Sequence, residues 1–379
     1  MNKAAPETEL FLRTARNFLD KSASVSHQRA LHADGRSYDP AWWEQAAGLG
    51  WAGLLVPEEL GGGSVSGDGL HDLAAIAELM GATVAPGPLY PVSVVLAGLV
   101  DAENRADHAS TIGDLVDGRK VASWAVEEPG RQFSPHEPTV VATRTPDGYR
   151  LDGVKDRVEA GSEADLLLVT ARADDGVRQF LVPATGAGVT VRPQRSLDLV
   201  KHYARIEFDS AEVGAAAVVG TAEQTRQLIG RQSDIANVLQ CAEIVGAIDT
   251  VLKLTLEWSQ QRYTFGRPLA SYQALKHRIA DMTMWLHACR GITAGAVAEV
   301  AAGNPAAPIW VAAAKSYLGE HAGLLVQECV QLHGGIGVTW EHDLHVYLRR
   351  IALYRNMFGT TTEHHRLIAR SAAEGTPAA

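Results

Sequence analysis

The stretch QRYTFGRPLASYQALKHRIADM, residues 261–282, decides the fold. It joins two segments of helical apolar spacing through a Gly-Arg-Pro break, and this predicts a helix, a tight connection and a second helix. Arg262, Thr264 and Phe265 lie at the end of the first helix, and Gln273 lies on the second. An arginine and a hydroxyl with amides nearby suit a phosphate-bearing ligand. A helix hairpin with a capping arginine is the alternative interpretation of the same residues.

A second stretch, QLHGGIGVTWEHDLHVYLRR at 331–350, follows further along the chain. Gly334, Gly335 and Gly337 are expected to end a helix and to let backbone approach a ligand closely. Taken alone, the cluster is equally explained by a helix C-cap followed by a turn. The two stretches are more informative together, because their order and the helical and β segments around them also have to be explained.

That layout has three parts, predicted as a helical domain at 1–118, a β domain at 119–220 and a helical bundle at 221–379. Segments such as KVASWAV (120–126) and ADLLLVTAR (164–172) are short, β-branched and separated by turn residues, which predicts a mostly antiparallel sheet. The last part predicts four helices at 221–261, 270–301, 307–333 and 343–373. The fold class is therefore α+β.

The composition argues against several classes of protein. The net charge of −10 argues against a nucleic-acid-binding protein, which would normally present a basic face. Three cysteines without a CxxC pair predict a reduced, cytoplasmic protein, and no metal site is predicted. The N-terminus has no signal-peptide pattern, and the longest apolar run, PVSVVLAGLV, is too short to span a membrane.

The chain resembles the acyl-CoA dehydrogenase family over residues 8–371. Beside the two stretches above, GLGWAGLLVPEELGG (48–62) is similar to the family's N-terminal loop, and VEEPG (126–130) is similar to its middle-domain flavin segment. The resemblance implies an N-terminal helical domain, a middle β domain and a C-terminal four-helix bundle, assembled as a homo- or heterotetramer. It also implies FAD, an acyl-CoA substrate and electron-transfer flavoprotein or a similar acceptor.

By the same resemblance, the flavin lies between the β domain and the bundle of one subunit, and a neighbour's bundle holds its adenosine end. The residues matched to the family's FAD contacts are Arg262, Thr264, Phe265, Gln273, Gln331, Gly334, Gly335, Thr360, Thr362, Trp124 and Val126. The reaction needs a carboxylate that removes the α-proton and a flavin that accepts a hydride.

The matched base positions hold no carboxylate. The usual glutamate position is Phe358, and the second position used in the family is Ala236. Asp234, two residues before Ala236, is our candidate for a displaced base, with a solvated or capping aspartate as the alternative. Glu243 returns to nearly the same helix face about 10 Å further along. It is predicted to be a buried structural partner of an arginine or lysine.

The flavin-contacting positions depart from the family as well. The usual threonine matches Glu127, a serine further on matches Phe133, the usual aromatic residue matches Arg157, and its companion threonine matches Glu159. Two acids there would oppose an anionic reduced flavin. The adenosine-holding residues are present, however, which indicates a subunit that works across an interface.

Three hypotheses remain open at the level of sequence. The chain is a dehydrogenase subunit, acting either as the helper of a heteromer or alone with Asp234 as its base. It is a flavin monooxygenase on the same fold. It is a non-catalytic acyl-CoA-binding or scaffold subunit.

Overall fold

The structure is a computed structural model that describes residues 6–33 and 36–373. The N-terminal part is helical, as predicted. Its helices are α1 (Pro6–Ser22), α2 (Val25–Ala33), α3 (Pro40–Gly48), α4 (Gly69–Thr83), α5 (Leu89–Asp101) and α6 (Ala109–Val116). Short 3-10 turns at Glu58–Leu60 and Arg105–His108 separate some of them. Asp68 caps α4 by accepting the backbone N–H groups of Leu70 and His71.

The middle part is an eight-stranded sheet. Its strands are β1 (Ala122–Ala125), β2 (Val141–Thr145), β3 (Gly148–Glu159), β4 (Leu166–Ala173), β5 (Gly176–Pro183), β6 (Val189–Gln194), β7 (Tyr203–Gly214) and β8 (Val218–Val219). They are ordered β6-β7-β3-β2-β4-β5-β8, and β1 pairs with β4. The predicted antiparallel arrangement holds except that β4 runs parallel to both β1 and β2. Short period-2 segments do not reveal strand direction, so the sequence could not specify these two pairings.

The C-terminal part is a bundle whose long helices are α7 (Ala222–Gln261), α8 (Gln273–Ala301) and α9 (Ala307–His333), followed by α10 (Leu344–Tyr354) and α11 (Thr361–Ala373). A small hairpin of β9 (Tyr263–Thr264) and β10 (Arg267–Pro268) connects α7 to α8. The single helix predicted at 343–373 is divided at residues 355–360. The reason is local, because Phe358 and Gly359 both adopt positive φ angles, at 52° and 101°, which a helix does not accommodate.

Helix α7 forms the centre of the molecule and packs closely against α4. A Cβ atom on Gly81 would lie 1.9 Å from the carbonyl oxygen of Glu243, and one on Gly246 would lie 1.8 Å from that of Glu78. The two glycines therefore allow the helix backbones to touch. Helix α7 is long and apolar enough by composition to cross a membrane. However, 89% of its apolar 18-residue segment is buried inside the protein.

The packing leaves two apolar cores. The larger one joins the N-terminal helices, one face of the sheet and the bundle, and it includes Trp43, Trp51 and Tyr354. The smaller one lies within the sheet around Leu151, Phe180 and Ile206. The three parts of the chain consequently meet at one junction, where α5, α7, α10, β1 and the β6–β7 loop approach one another.

Candidate functional site

The β9–β10 hairpin projects a phenyl ring into solvent. Phe265 and Gly266 form its two-residue turn with φ angles of 49° and 79°, and the side chain of Phe265 is 97% exposed. A left-handed conformation costs a non-glycine residue roughly 1–3 kcal/mol. The ring of Phe265 is therefore held in the open, where another molecule can reach it.

Polar groups surround this hairpin. The backbone N–H of Arg262 donates to the carbonyl oxygen of Trp258 at 2.9 Å, which fixes the end of α7. The hydroxyl of Thr264 is buried and has no partner among the described residues, so it remains available as a donor. Gln273 is exposed at the first position of α8. These residues offer a cation, a hydroxyl and an amide at one end of the bundle.

The end of α9 lies beside them. The rings of Trp258 and His333 are stacked, with centroids 5.3 Å apart and planes inclined by 16°. Gly334 follows with φ 67° and ψ −142°, and a Cβ added to either Gly334 or Gly335 would meet nothing within 4 Å. Gln331 is exposed on the last turn of the helix. The structure therefore brings together Arg262, Thr264, Phe265, Gln273, Gln331, Gly334 and Gly335.

Thr360 and Thr362 lie elsewhere. The hydroxyl of Thr360 accepts the backbone N–H of Glu363 at 3.3 Å, and Oε2 of Glu363 accepts the N–H of Thr360 at 2.7 Å, so Thr360 caps α11. The neighbouring Thr361 lies against Gly319. Gly319 is fourteen residues before His333, or roughly 21 Å along α9 at ~1.5 Å per residue. These two threonines are thus far from the bundle end.

Phe358 is buried where the sequence leads one to expect a base. Only 4% of the residue is exposed. Its ring is stacked on Trp124, with centroids 5.9 Å apart and an angle of 11°, and it packs against Tyr90 and Phe133 at 5.8 and 5.5 Å. Val126 is buried as well. Trp124 is therefore covered by a ring from its own chain.

The segment before Phe358 is fixed by Lys315. Its ammonium group donates to the carbonyl oxygens of Tyr354 and Met357 at 2.8 and 3.0 Å and to Oε1 of Gln240 at 2.8 Å. Burial lowers the pKa of Lys315 to about 8. The conformation that inserts Phe358 is thus tied to both α7 and α9.

The acids predicted to oppose a flavin are paired. Glu127 accepts the backbone N–H of Phe358 at 2.8 Å and contacts the guanidinium of Arg157 at 2.5 Å. Burial raises the pKa of Glu127, and Arg157 acts in the opposite direction. Glu159 contacts the ammonium of Lys201 at 2.8 Å. The two acids therefore do not form the free negative field that the sequence suggested, because each has a cation beside it.

A buried network of charges fills the junction of the three parts. Lys201 lies 3.8 Å from Glu243, and Glu243 accepts hydrogen bonds from Arg350 at 3.0 Å and from the hydroxyl of Tyr354 at 2.7 Å. Arg350 also pairs with Asp198. Burial would raise the pKa of Asp198, but Arg350 holds it below its usual value. The structural role predicted for Glu243, as the buried partner of an arginine or lysine, is confirmed.

Asp234 lines a cavity of about 540 Å³. Phe133, His136, Asn237 and His364 also line this cavity. Burial raises the pKa of Asp234 to about 7, and Arg231 opposes the shift. Ala236 is completely buried. A carboxyl group with such a pKa can accept a proton near neutral pH. Phe358 borders an adjoining cavity of about 510 Å³, which shares Phe133 and His364 with the first.

FAD has two parts to accommodate, the diphosphate with adenosine and the flavin ring, and the residues present fit only the first. At the bundle end, the unpartnered hydroxyl of Thr264 and the open backbone at Gly334 fit the diphosphate and adenosine part of the cofactor. At the junction, Glu127, Arg157 and Phe358 are bonded or packed within the chain. The residues that would contact the flavin ring therefore do not fit it.

Sequence reasoning missed several residues of these sites. It overlooked Trp258, although this residue lies one helical turn before Arg262, and it treated His333 only as part of a glycine motif. It also missed Lys315 and the partners Asp198, Lys201 and Arg350. No local pattern links these three to Glu243, since they come from distant parts of the chain.

Comparisons with known proteins agree with this architecture. Profiles described as the N-terminal and C-terminal domains of acyl-CoA dehydrogenases match residues 5–102 and 226–373. Acyl-CoA dehydrogenase IpdE2 of Mycobacterium tuberculosis is 29% identical over 350 residues, which is 91% of each chain. The structure of the ChsE4-ChsE5 complex from Mycobacterium tuberculosis is similar with a TM-score of 0.88 and 28% identity, covering 99% of both chains.

The fold is also that of PigA, whose structure with FAD and proline matches with a TM-score of 0.90 at 21% identity, covering 98% of this chain and 99% of that chain. The two profiles together span more than half of the chain and flank the sheet. The chain therefore belongs to the acyl-CoA dehydrogenase family of oxidoreductases, whose cofactor is FAD.

Proposed function

We propose that this chain is a subunit of an acyl-CoA dehydrogenase and completes the FAD site of a neighbouring, related subunit. The observation that carries the proposal is the contrast between the residues at the bundle end and those around the base position. Most residues at the bundle end, among them Arg262, Gln273 and Gln331, are exposed, with Phe265 as the extreme case. Phe358, at the base position, is buried and fixed by hydrogen bonds to its segment.

In this proposal the neighbour would supply the carboxylate that removes the α-proton of the acyl-CoA thioester, and the FAD held between the two chains would supply the hydride acceptor. Arg262 and Thr264 of this chain bind the diphosphate of that flavin, and Gly334 and Gly335 admit its adenosine end. One of the similar structures is a complex of two differently named chains, ChsE4 and ChsE5, which makes a heteromer a reasonable assembly here.

A second candidate has one observation in its favour. Asp234 faces a cavity and has a pKa raised to about 7, which suits a general base. A chain that works alone would use Asp234 in this way. It would need to bind the flavin ring in spite of the Glu127–Arg157 pair and the buried Phe358.

The proposal also covers the substrate, the electron acceptor, the location and the assembly. The substrate is an acyl-CoA, and the electron acceptor is electron-transfer flavoprotein or a similar protein. We further propose a cytoplasmic location and a tetramer, either of this chain alone or with a related chain. The three cysteines are free and buried, as expected in a reducing compartment.

The test is reconstitution of substrate-dependent flavin reduction. The chain is purified alone and together with a related dehydrogenase chain of the same organism, and anaerobic bleaching by acyl-CoA thioesters is followed. We expect bleaching only with the partner present. Bleaching by the isolated chain would support the second candidate. Flavin in the assembly that reacts with oxygen and an amine or aromatic substrate, but not with acyl-CoA, would support a monooxygenase. A complex without flavin would support a scaffold.

A further inference from the structure

Trp258 is connected to Arg262 in two ways. Its carbonyl oxygen accepts the backbone N–H of Arg262 at 2.9 Å. The centre of its ring lies 5.9 Å from the guanidinium carbon of the same arginine, which is within the range of a cation–π contact. Trp258 therefore restrains both the backbone and the charged end of Arg262.

Trp258 also contacts the other half of the bundle end. Its ring is stacked with that of His333, and the ring of His342 meets His333 edge-on with centroids 4.7 Å apart. The orientation of His333 is fixed because its Nδ1 lies 2.8 Å from the carbonyl oxygen of Cys329, an atom that can only accept. His333 is immediately followed by Gly334, where the backbone becomes open.

We infer that Trp258 and His333 are positioning residues of the shared FAD site, and that their stack fixes Arg262 on α7 relative to Gly334 and Gly335 on α9. Neither ring needs to touch the cofactor. An exposed arginine loses side-chain freedom when it binds a phosphate, so holding it in place beforehand reduces the cost of binding. This inference rests on the proposed function, and it adds Trp258, which lies outside both sequence motifs, and a role for the ring of His333.

The bundle contains a matched control. Trp285 on α8 contacts His321 on α9 with ring centroids 5.9 Å apart and an angle of 61°. It lies twelve residues after Gln273, or roughly 18 Å along the helix at ~1.5 Å per residue. Trp285→Leu thus removes a tryptophan–histidine contact of the same bundle without approaching Arg262.

The experiment measures the dissociation constant of FAD for the flavin-depleted complex of this chain with its partner, by quenching of flavin fluorescence. Trp258→Leu and His333→Leu should each raise it about threefold to tenfold, Trp258→Phe should stay close to the parent, and Trp285→Leu should leave it unchanged. In an Arg262→Ala background, Trp258→Leu should have a clearly smaller effect, because the tryptophan acts largely through the arginine. A merely structural role would not produce this dependence.

The possible outcomes distinguish the proposed function from the positioning role. If Arg262→Ala does not weaken FAD binding, the proposed function itself fails. The positioning role alone is overturned in either of two cases. In the first, Arg262→Ala weakens binding, but Trp258→Leu and His333→Leu both stay within about twofold of the parent. In the second, the effect of Trp258→Leu is undiminished in the Arg262→Ala background.

Discussion

The backbone N–H of Phe358 donates a hydrogen bond to Oε1 of Glu127 at 2.8 Å. The residue at the expected base position is thus held by the residue at an expected flavin contact. Both residues differ from those usual in the family, and each stabilises the other. Glu127 accepts the backbone N–H of Phe358, whose left-handed conformation directs the phenyl ring into the protein. Placing the family's usual residue at only one of the two positions would therefore disturb the contact with the other.

We predict that Phe358→Glu does not create an active dehydrogenase. The new carboxylate would lie among Trp124, Tyr90 and Phe133, close to the buried Glu127. Loss of the ring and burial of a charge should cost about 3 kcal/mol or more. Flavin reduction by acyl-CoA and thermal melting measure the two effects, with Phe358→Leu as the control for lost volume. Robust turnover by the single variant would show that the flavin-contacting half is sound.

Arg262→Ala should weaken FAD retention in the assembled protein about tenfold or more, because a charge-assisted hydrogen bond contributes ~1.5–3 kcal/mol. Flavin remaining after gel filtration is the measurement. Arg192→Ala is a suitable control, since Arg192 is an exposed arginine of the sheet that pairs with Glu207. A variant that holds flavin as well as the parent would remove Arg262 from the site.

Asp234→Asn distinguishes the two ways in which the chain could work. In a heteromer whose partner supplies the base, turnover should change by less than about threefold. If the chain works alone, loss of a general base should reduce turnover about 10²–10⁴-fold. Flavin reduction is compared for the isolated chain and for the complex, and we expect the smaller effect.

The same variant should change the pH dependence of stability. The pKa of Asp234 is raised in the folded state to about 7, so its contribution to stability is present in full below the unfolded pKa and is lost as the pH rises through 7. Asn carries no such charge. The melting temperature of Asp234→Asn relative to the parent should therefore increase from pH 5 to pH 8. A constant difference would mean that Asp234 titrates normally.

The charge network makes a prediction about stability alone. Arg350→Met leaves Asp198 without its buried cation and leaves Glu243 only Lys201 at 3.8 Å, and breaking a buried pair costs about 3–5 kcal/mol. Arg349→Met, at the preceding position, removes a hydrogen bond to the carbonyl oxygen of Leu197. Denaturant unfolding of both variants gives the comparison. Equal stabilities would contradict the network's role.

The sequence predicted much of this arrangement and missed the rest for identifiable reasons. Helix register was enough to assign Glu243 as a buried partner, because seven residues return to nearly the same face. It could not identify Arg350, Asp198 or Lys201, which reach Glu243 only through tertiary packing. The break in the last helix was missed because Phe358 is not a residue that usually signals a left-handed turn.

The ratio of FAD to protein in the purified assembly tests the helper role of this chain most directly. Visible flavin absorbance is measured against protein concentration for the chain alone and after copurification with its related partner. We predict little FAD on the isolated chain and about one FAD for each pair of chains in the complex. A homotetramer with one FAD per chain, active with Asp234 and inactive without it, would contradict the helper role.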